Sequence, residues 1–170
     1  VLPAKTGEIV SVSGGREHTT RRAFNRAMAL KRQPGSTIKP VLIYAPALEY
    51  KQYTTTTFLL DEREDFNGYN PRNAGSTYRG WVTMRDAVAL SLNIPAVRTL
   101  QDIGVETGMD YASSVGIPFS EEDKNLSIAL GGFTNGVSPL QLAGAYLPFA
   151  NDGYYTPPYA ITRITDRDGN

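Results

Sequence analysis

Residues 38–48 form an apolar stretch broken by one charge, Lys39, and entered through the turn-forming Gln33-Pro34-Gly35-Ser36. A run of this kind reads as a largely buried helix, so the fold has to cover it on most sides. Pro40 falls in the first turn, where a missing amide hydrogen costs little, whereas Pro46 is expected to end or kink the helix. The chain can supply the cover: 41% of its 170 residues are apolar, enough for one ordinary domain with a core and too many for wholesale disorder. It holds no cysteine and one histidine, His18, which excludes a disulfide-stapled scaffold, a zinc finger and a multi-histidine site; no metal is expected. No apolar run approaches the roughly 20 residues that span a bilayer, and no charged-then-apolar leader opens the chain, so it reads as a soluble globular piece.

Basic and acidic residues balance at 17 each, but not evenly along the chain. Residues 1–51 carry Lys5, Arg16, Arg21, Arg22, Arg26, Lys31, Arg32, Lys39 and Lys51 against Glu8, Glu17 and Glu49, a net +6 that leaves −6 for the rest. The aromatics of that segment, Phe24, Tyr44 and Tyr50, are too few for a stacking platform, so no nucleic-acid partner is expected. The charge reads instead as a solvated face or a basic wall around an anionic substrate.

Along the chain, Ile9, Val10 and Val12 between glycines point to a first strand within residues 7–15. Residues 16–32 read as loop with one helical turn around 24–30, and residues 53–80 as a long polar loop without a period. Helix starts follow. Thr83 with Asp86 opens a helix over 84–92, Thr107 with Asp110 opens one that Gly116 can close, and Ser138 with Gln141 opens one to about Asn151, with Gly153 beyond. Glu121, Glu122 and Asp123 suit a helix N-terminus better than a metal site, and His18 suits an exposed loop. Gly14-Gly15 and Gly131-Gly132 read as turns or close backbone approaches. Residues 159–165 alternate as a half-buried strand does and run into hairpin chemistry at Asp166-Arg167-Asp168-Gly169-Asn170. No partner strand follows, so the sheet is expected to be incomplete and the chain to be cut inside a hairpin. Residues alone establish a mixed α and β fold with a helix-rich middle.

A serine nucleophile needs a base within hydrogen-bond reach, and a neutral lysine can serve. Ser36 and Lys39 stand three apart at a helix start, a spacing that puts them on one face. The amide dipoles there favour negative charge near the serine and disfavour a protonated lysine. By itself this spacing fits a capping serine beside a surface lysine equally well.

The surrounding text decides between them. Arg32-Gln33-Pro34-Gly35-Ser36-Thr37-Ile38-Lys39-Pro40 resembles the nucleophile motif of the penicillin-binding proteins, in particular the bifunctional (class A) peptidoglycan synthases. The resemblance continues in order through Phe24-Asn25-Arg26-Ala27, Tyr69-Asn70-Pro71, Tyr78-Arg79-Gly80, the Ser-x-Asn motif Ser91-Leu92-Asn93, Ala129-Leu130-Gly131-Gly132 and residues 136–143. It covers essentially the whole chain. It implies an α/β (α+β) β-lactamase/transpeptidase-like fold: a central antiparallel sheet starting at 7–15, a nucleophile helix at 36–50, a helical subdomain at about 53–152, and a strand into the cut hairpin at 159–170.

The resemblance also implies a bacterial D,D-transpeptidase on the extracytoplasmic face of the cell membrane. Ser36 attacks the D-alanyl-D-alanine carbonyl of a peptidoglycan stem peptide, Lys39 takes its proton, Ser91 relays a proton to the leaving amine, and Asn93 holds the substrate amide and orients Lys39. Tyr69, Gly131 and Gly132 are candidate substrate contacts. Stem peptides and β-lactam antibiotics are the expected partners, with no cofactor. The family's third motif, Lys-Thr-Gly on a core strand after Ser-x-Asn, is out of place here: Lys5-Thr6-Gly7 precedes Ser36. The carboxylate-binding lysine and half of the oxyanion hole are therefore expected from the C-terminal remainder of the domain, in the same or a second polypeptide, and residues 1–170 alone are expected to be close to inactive. The membrane anchor and glycosyltransferase domain of the family are expected ahead of Val1. A serine β-lactamase is the nearest rival, although the Glu-x-x-Leu-Asn pattern of one large class is absent. A non-catalytic β-lactam sensor or cell-wall assembly module is the rival of another kind.

Overall fold

A computed structural model describes residues 1–17, 21 and 23–169; His18 and the loop position expected for it lie outside these. The chain forms two compact units, Lys31–Val137 on the one hand and Val1–Leu30 with Ser138–Asn170 on the other.

In the unit Lys31–Val137, the apolar stretch is helical but unevenly wound. A tight 3-10 turn, Gly35–Ile38, leads into a wide π-type turn, Pro40–Tyr44, and then into α1, Ala45–Tyr50. Pro46 has no amide to offer Leu42, and the ladder widens just ahead of it, Ala45 N–H donating to the Pro40 carbonyl five residues back. Pro46 thus reshapes the helix without ending it. Ile38, Leu42 and Ile43 are fully buried, as the apolar run requires.

The polar region after α1 is less featureless than its composition indicates. It contains β1, Phe58–Asp61, which pairs antiparallel with β2, Gly80–Thr83, Leu59 facing Val82 and Leu60 facing Trp81. Four residues are too few for alternation to stand out in the sequence. Thr83 then caps α2, Met84–Ala89, its hydroxyl accepting from Asp86 N–H at 3.1 Å, as expected, although the helix stops short of residue 92.

The longest helix of the described residues, α3, Asn93–Ile103, has no counterpart among the expected elements. Its cap position is Leu92, which carries no side-chain acceptor, so the usual start signal is missing. Ile94, Val97, Leu100 and Ile103 are buried, and α3 packs on the π-type turn, on β1 and on a 3-10 turn at Leu126–Leu130. Gly104, at φ 91°, joins α3 directly to α4, Val105–Ser114, so that helix starts two residues ahead of Thr107; Gly116, at φ 89°, follows its end as expected. Glu121–Asp123 forms a 3-10 turn with a reciprocal Ser120–Asp123 capping box, in line with its helix-terminus reading.

In the other unit, the strands expected at 7–15 and 159–165 are not formed. The two segments share one parallel bridge, Glu8 with Tyr159, in which Ile9 N–H donates to Tyr159 O at 2.7 Å and Tyr159 N–H to Gly7 O at 3.2 Å. A strand persists as part of a ladder, and among the described residues this is the one β-bridge either segment makes. The turn chemistry at 166–169 is realised, Asp168 N–H donating to Asp166 Oδ1 at 2.9 Å. Lys5-Thr6-Gly7 lies in a turn closed by Thr6 and Gly7 N–H on the Pro3 carbonyl. Ser138 and Gln141 form the expected capping box of α5, Pro139–Ala145. That helix is shorter than expected: it gives way to a 3-10 turn, Leu147–Ala150, at Pro148, which has no amide to continue the ladder. No helix of the described residues is long and apolar enough to cross a membrane.

Gly108 on α4 sets how closely that helix approaches the nucleophile helix, because a Cβ there would lie 2.7 Å from the Leu42 carbonyl oxygen and 2.8 Å from a Leu100 methyl. Gly108→Ala is expected to destabilise the protein by about 1–3 kcal/mol. Thermal denaturation checks this, and an unchanged Tm would contradict the contact.

Candidate active site

Ser36 sits in the 3-10 turn and is exposed, while Lys39, directly after the turn, is 2% exposed. Side chains three apart eclipse in a 3-10 turn, whereas in an α-helix they are offset. The tight winding therefore aligns Ser36 with Lys39 better than the expected α-helix does. Gly35, at φ 57°, brings the chain into this turn through left-handed backbone that glycine adopts freely.

The back of the turn rests on Gly131. At φ 80°, Gly131 would place a Cβ 2.2 Å from Gly35 N. Gly131 is buried, and Gly132 N–H donates to the Ser127 carbonyl at 3.2 Å. Gly131 thus packs main chain to main chain against the residue that precedes Ser36. Tyr69 is half-buried in a short turn bridged to Phe66, burial raises its phenol pKa, and it is not among the partners of Lys39.

Lys39 Nζ is the centre of the constellation. It donates to Asn93 Oδ1 at 2.7 Å, Ser91 O at 2.8 Å, Leu92 O at 3.2 Å and Ser91 Oγ at 3.3 Å. The Ser-x-Asn motif, more than fifty residues away in sequence, therefore wraps the amine. All four acceptors are uncharged. Burial lowers the Lys39 pKa from 10.5 to about 8, towards the range in which an amine can accept a proton. Ser36 Oγ is not among the four acceptors; a catalytic hydrogen bond of this kind often tightens only when substrate is present.

Ser91 reaches Lys39 at a cost in backbone conformation. Leu92 N–H donates to Ala87 O and Ser91 N–H to Val88 O, both at 3.0 Å, which is a Schellman closure of α2 with Ser91 at the left-handed position, φ 52°. Glycine normally fills that position, and an L side chain there costs roughly 1–2 kcal/mol. Such strain is characteristic of functional positions.

Asn93 opens α3 and is held from outside the helix by two residues that sequence reasoning did not single out. Asn73 Oδ1 accepts from Asn93 N–H at 2.8 Å and Ile94 N–H at 3.3 Å, and Asn73 Nδ2 donates to Asp61 Oδ1 at 2.7 Å and Thr77 O at 3.0 Å. Asp61, fully buried at the end of β1, also accepts from Arg79 N–H at 3.0 Å. Asn93 Nδ2 donates to the Arg72 carbonyl at 2.7 Å. A lone asparagine in a polar loop carries no local signal of such a role.

The arrangement offers an exposed hydroxyl, a buried amine three residues on and a second hydroxyl beside that amine, the parts needed for acyl transfer through a serine. The cost at Ser91 can be measured: Ser91→Gly is expected to be about 1 kcal/mol more stable than Ser91→Ala, since both lack the hydroxyl and only alanine keeps the strain. Equal denaturation midpoints would contradict the left-handed assignment.

Comparison with known proteins agrees with this chemistry. The family model of the penicillin binding protein transpeptidase domain matches residues 1–170. Penicillin-binding protein 1F of Bacillus subtilis is 48% identical over 165 residues, 97% of this chain and 22% of that protein. Among solved structures, Penicillin-Binding Protein 1A from Haemophilus influenzae matches with a TM-score of 0.73 at 32% identity, over 87% of this chain and 22% of that one. The penicillin-binding protein PonA1 from Mycobacterium tuberculosis matches with a TM-score of 0.76 at 25% identity, over 92% of this chain and 42% of that one. The chain thus spans about a fifth of the length of the curated relatives it matches. Its fold is the β-lactamase/transpeptidase-like one, and the chain combines helices with a small antiparallel sheet. With the family model covering its full length, the chain belongs to the transpeptidase domain family of the penicillin-binding proteins.

Proposed function

We propose that the chain carries the nucleophile side of a D,D-transpeptidase site that cross-links peptidoglycan stem peptides on the extracytoplasmic face of the bacterial cell membrane and that β-lactams acylate. The observation that carries this reading is the Lys39 amine, buried against Ser91 and Asn93 and three residues beyond an exposed Ser36 at the same tight turn.

The chemistry follows from these groups. Neutral Lys39 has two N–H bonds, matched by its two shortest contacts, Asn93 Oδ1 and Ser91 O, which leaves its lone pair for a hydroxyl proton. Ser36 Oγ attacks the carbonyl between the two D-alanines as its proton passes to Lys39. The tetrahedral intermediate collapses with cleavage of the C–N bond, and the proton is delivered through Ser91 Oγ to the departing D-alanine amine. An amine from a neighbouring strand then attacks the acyl-serine by the reverse proton route. The Ser36 amide supplies one donor to the oxyanion. Lys5-Thr6-Gly7 forms a turn, which suits it poorly to the role of the family's Lys-Thr-Gly strand, the element that would bring the second oxyanion amide and the carboxylate-binding lysine.

In the full-length protein, a fluorescent penicillin is expected to form a stable adduct on Ser36, seen by mass spectrometry, which Ser36→Ala abolishes. Rapid turnover would indicate a β-lactamase, and an adduct without D-alanine release from a stem peptide would indicate a sensor. A purified 1–170 chain is expected to label very slowly. Below a pKa of about 8 the amine is protonated, about nine-tenths of it at pH 7, so the acylation rate is expected to rise close to tenfold per pH unit below 8 and to level off above. A flat profile from pH 6 to 9 would remove Lys39 as the base.

A further inference from the structure

We propose that Asn73, held in orientation by Asp61, is a positioning residue that sets the acylation rate by fixing the backbone of Asn93 beside the Arg72 carbonyl that holds its carboxamide. This rests on the reading of Ser36 and Lys39 given above. Helix α3 begins at Asn93 with no cap of its own, and its first amides would be left without acceptors at a partly buried end. Asn73 supplies the missing cap from a loop twenty residues earlier, through Oδ1.

The direction of every carboxamide in the chain of contacts is determined by a partner that can only accept or only donate. Asp61 offers oxygens alone once ionised, and Thr77 offers a carbonyl, so the NH2 of Asn73 must face them and its oxygen must face the helix. Asn73 also follows Arg72 directly, and the Arg72 carbonyl takes the NH2 of Asn93. Asn93 is therefore held twice, its backbone amide by the Asn73 side chain and its carboxamide by the carbonyl preceding Asn73. The second hold turns Asn93 Oδ1 towards Lys39 Nζ, the shortest of the amine's contacts. Were Asn93 free to flip, it would present NH2 to the amine and compete for the lone pair that has to take the serine proton.

Among the described residues, no hydrogen bond of Asn73 or Asp61 reaches Ser36 or Lys39, so Asn73 acts through Asn93. Loss of the arrangement should slow the covalent step and leave the preceding non-covalent binding nearly unchanged.

The test uses the full-length protein and a fluorescent penicillin, with stopped-flow separation of the non-covalent dissociation constant from the acylation rate constant. Asn73→Asp conserves shape but sets a carboxylate against Asp61, and is expected to lower the acylation rate constant about 10- to 100-fold with the dissociation constant unchanged within about twofold. The double variant Asp61→Asn with Asn73→Asp restores a donor facing an acceptor at that contact, though not at the Thr77 carbonyl, and is expected to recover part of the rate. A role confined to folding would lower the fraction of molecules that label and leave the rate constant of the labelled fraction alone, which would overturn the proposal. So would a reduced rate constant that the double variant fails to raise. If Asn73→Asp does not accumulate as folded protein, Asp61→Asn alone is read against the double variant: a slowed single and a recovered double support the proposal, and a single at the wild-type rate overturns it. Failure of the wild type to label at Ser36 would instead remove the underlying reading of the site.

Discussion

Taking the Lys39 amine out of water is the demand around which Lys31–Val137 is organised. A buried ammonium needs acceptors on nearly every side, and with no carboxylate in contact those acceptors have to be carbonyls and hydroxyls. Three consecutive residues, Ser91, Leu92 and Asn93, provide all of them. For so short a segment to surround one atom, α2 must stop, the chain must turn within three residues, and α3 must start at once. The left-handed Ser91 and the capless start of α3 are the consequences of that tight passage. The same burial that makes these acceptors necessary also brings the amine closer to neutrality, so structural demand and chemical use coincide.

The opposite wall of the site is made of main chain. Gly35 and Gly131 meet without a side chain between them, and Gly108 admits the Leu42 carbonyl in the same manner. Such contacts leave little room for adjustment, because a backbone cannot choose another rotamer. The nucleophile turn is thus located by rigid pieces on one side and by a hydrogen-bonded amine on the other.

What could be read from the sequence divides according to distance along the chain. The caps at Thr83 and Ser138 are local devices and each is realised where its spacing places it, whereas Thr107 lies inside α4, whose cap position is Gly104. The Ser36–Lys39 pairing is also local and was legible as spacing. Nothing local connects position 39 with positions 91 and 93; only resemblance to a family named them together. Helix α3 escaped notice because its cap is Asn73, far back in a polar loop, and β1 because four residues carry too little pattern. Residues 7–15 and 159–165 have the composition of strands, but pairing is a property of two segments at once, and the described residues give them a single bridge. Asp61 and Asn73 are the clearest case: their importance lies wholly in what they face.

The uneven winding between Gly35 and Tyr44 has a further consequence. A 3-10 turn gains rotation relative to an α-helix and a π-type turn loses it. Placed back to back, the two offset each other, so α1 leaves in much the same angular phase as an uninterrupted α-helix would. Local overwinding at the nucleophile is thereby absorbed within one following turn and is not passed on to the core. The segment behaves as a small torsional spring with both ends clamped, which makes its length, more than its composition, the property least free to change: one residue inserted or removed between Ser36 and Ala45 would rotate either the hydroxyl away from the amine or α1 away from its packing.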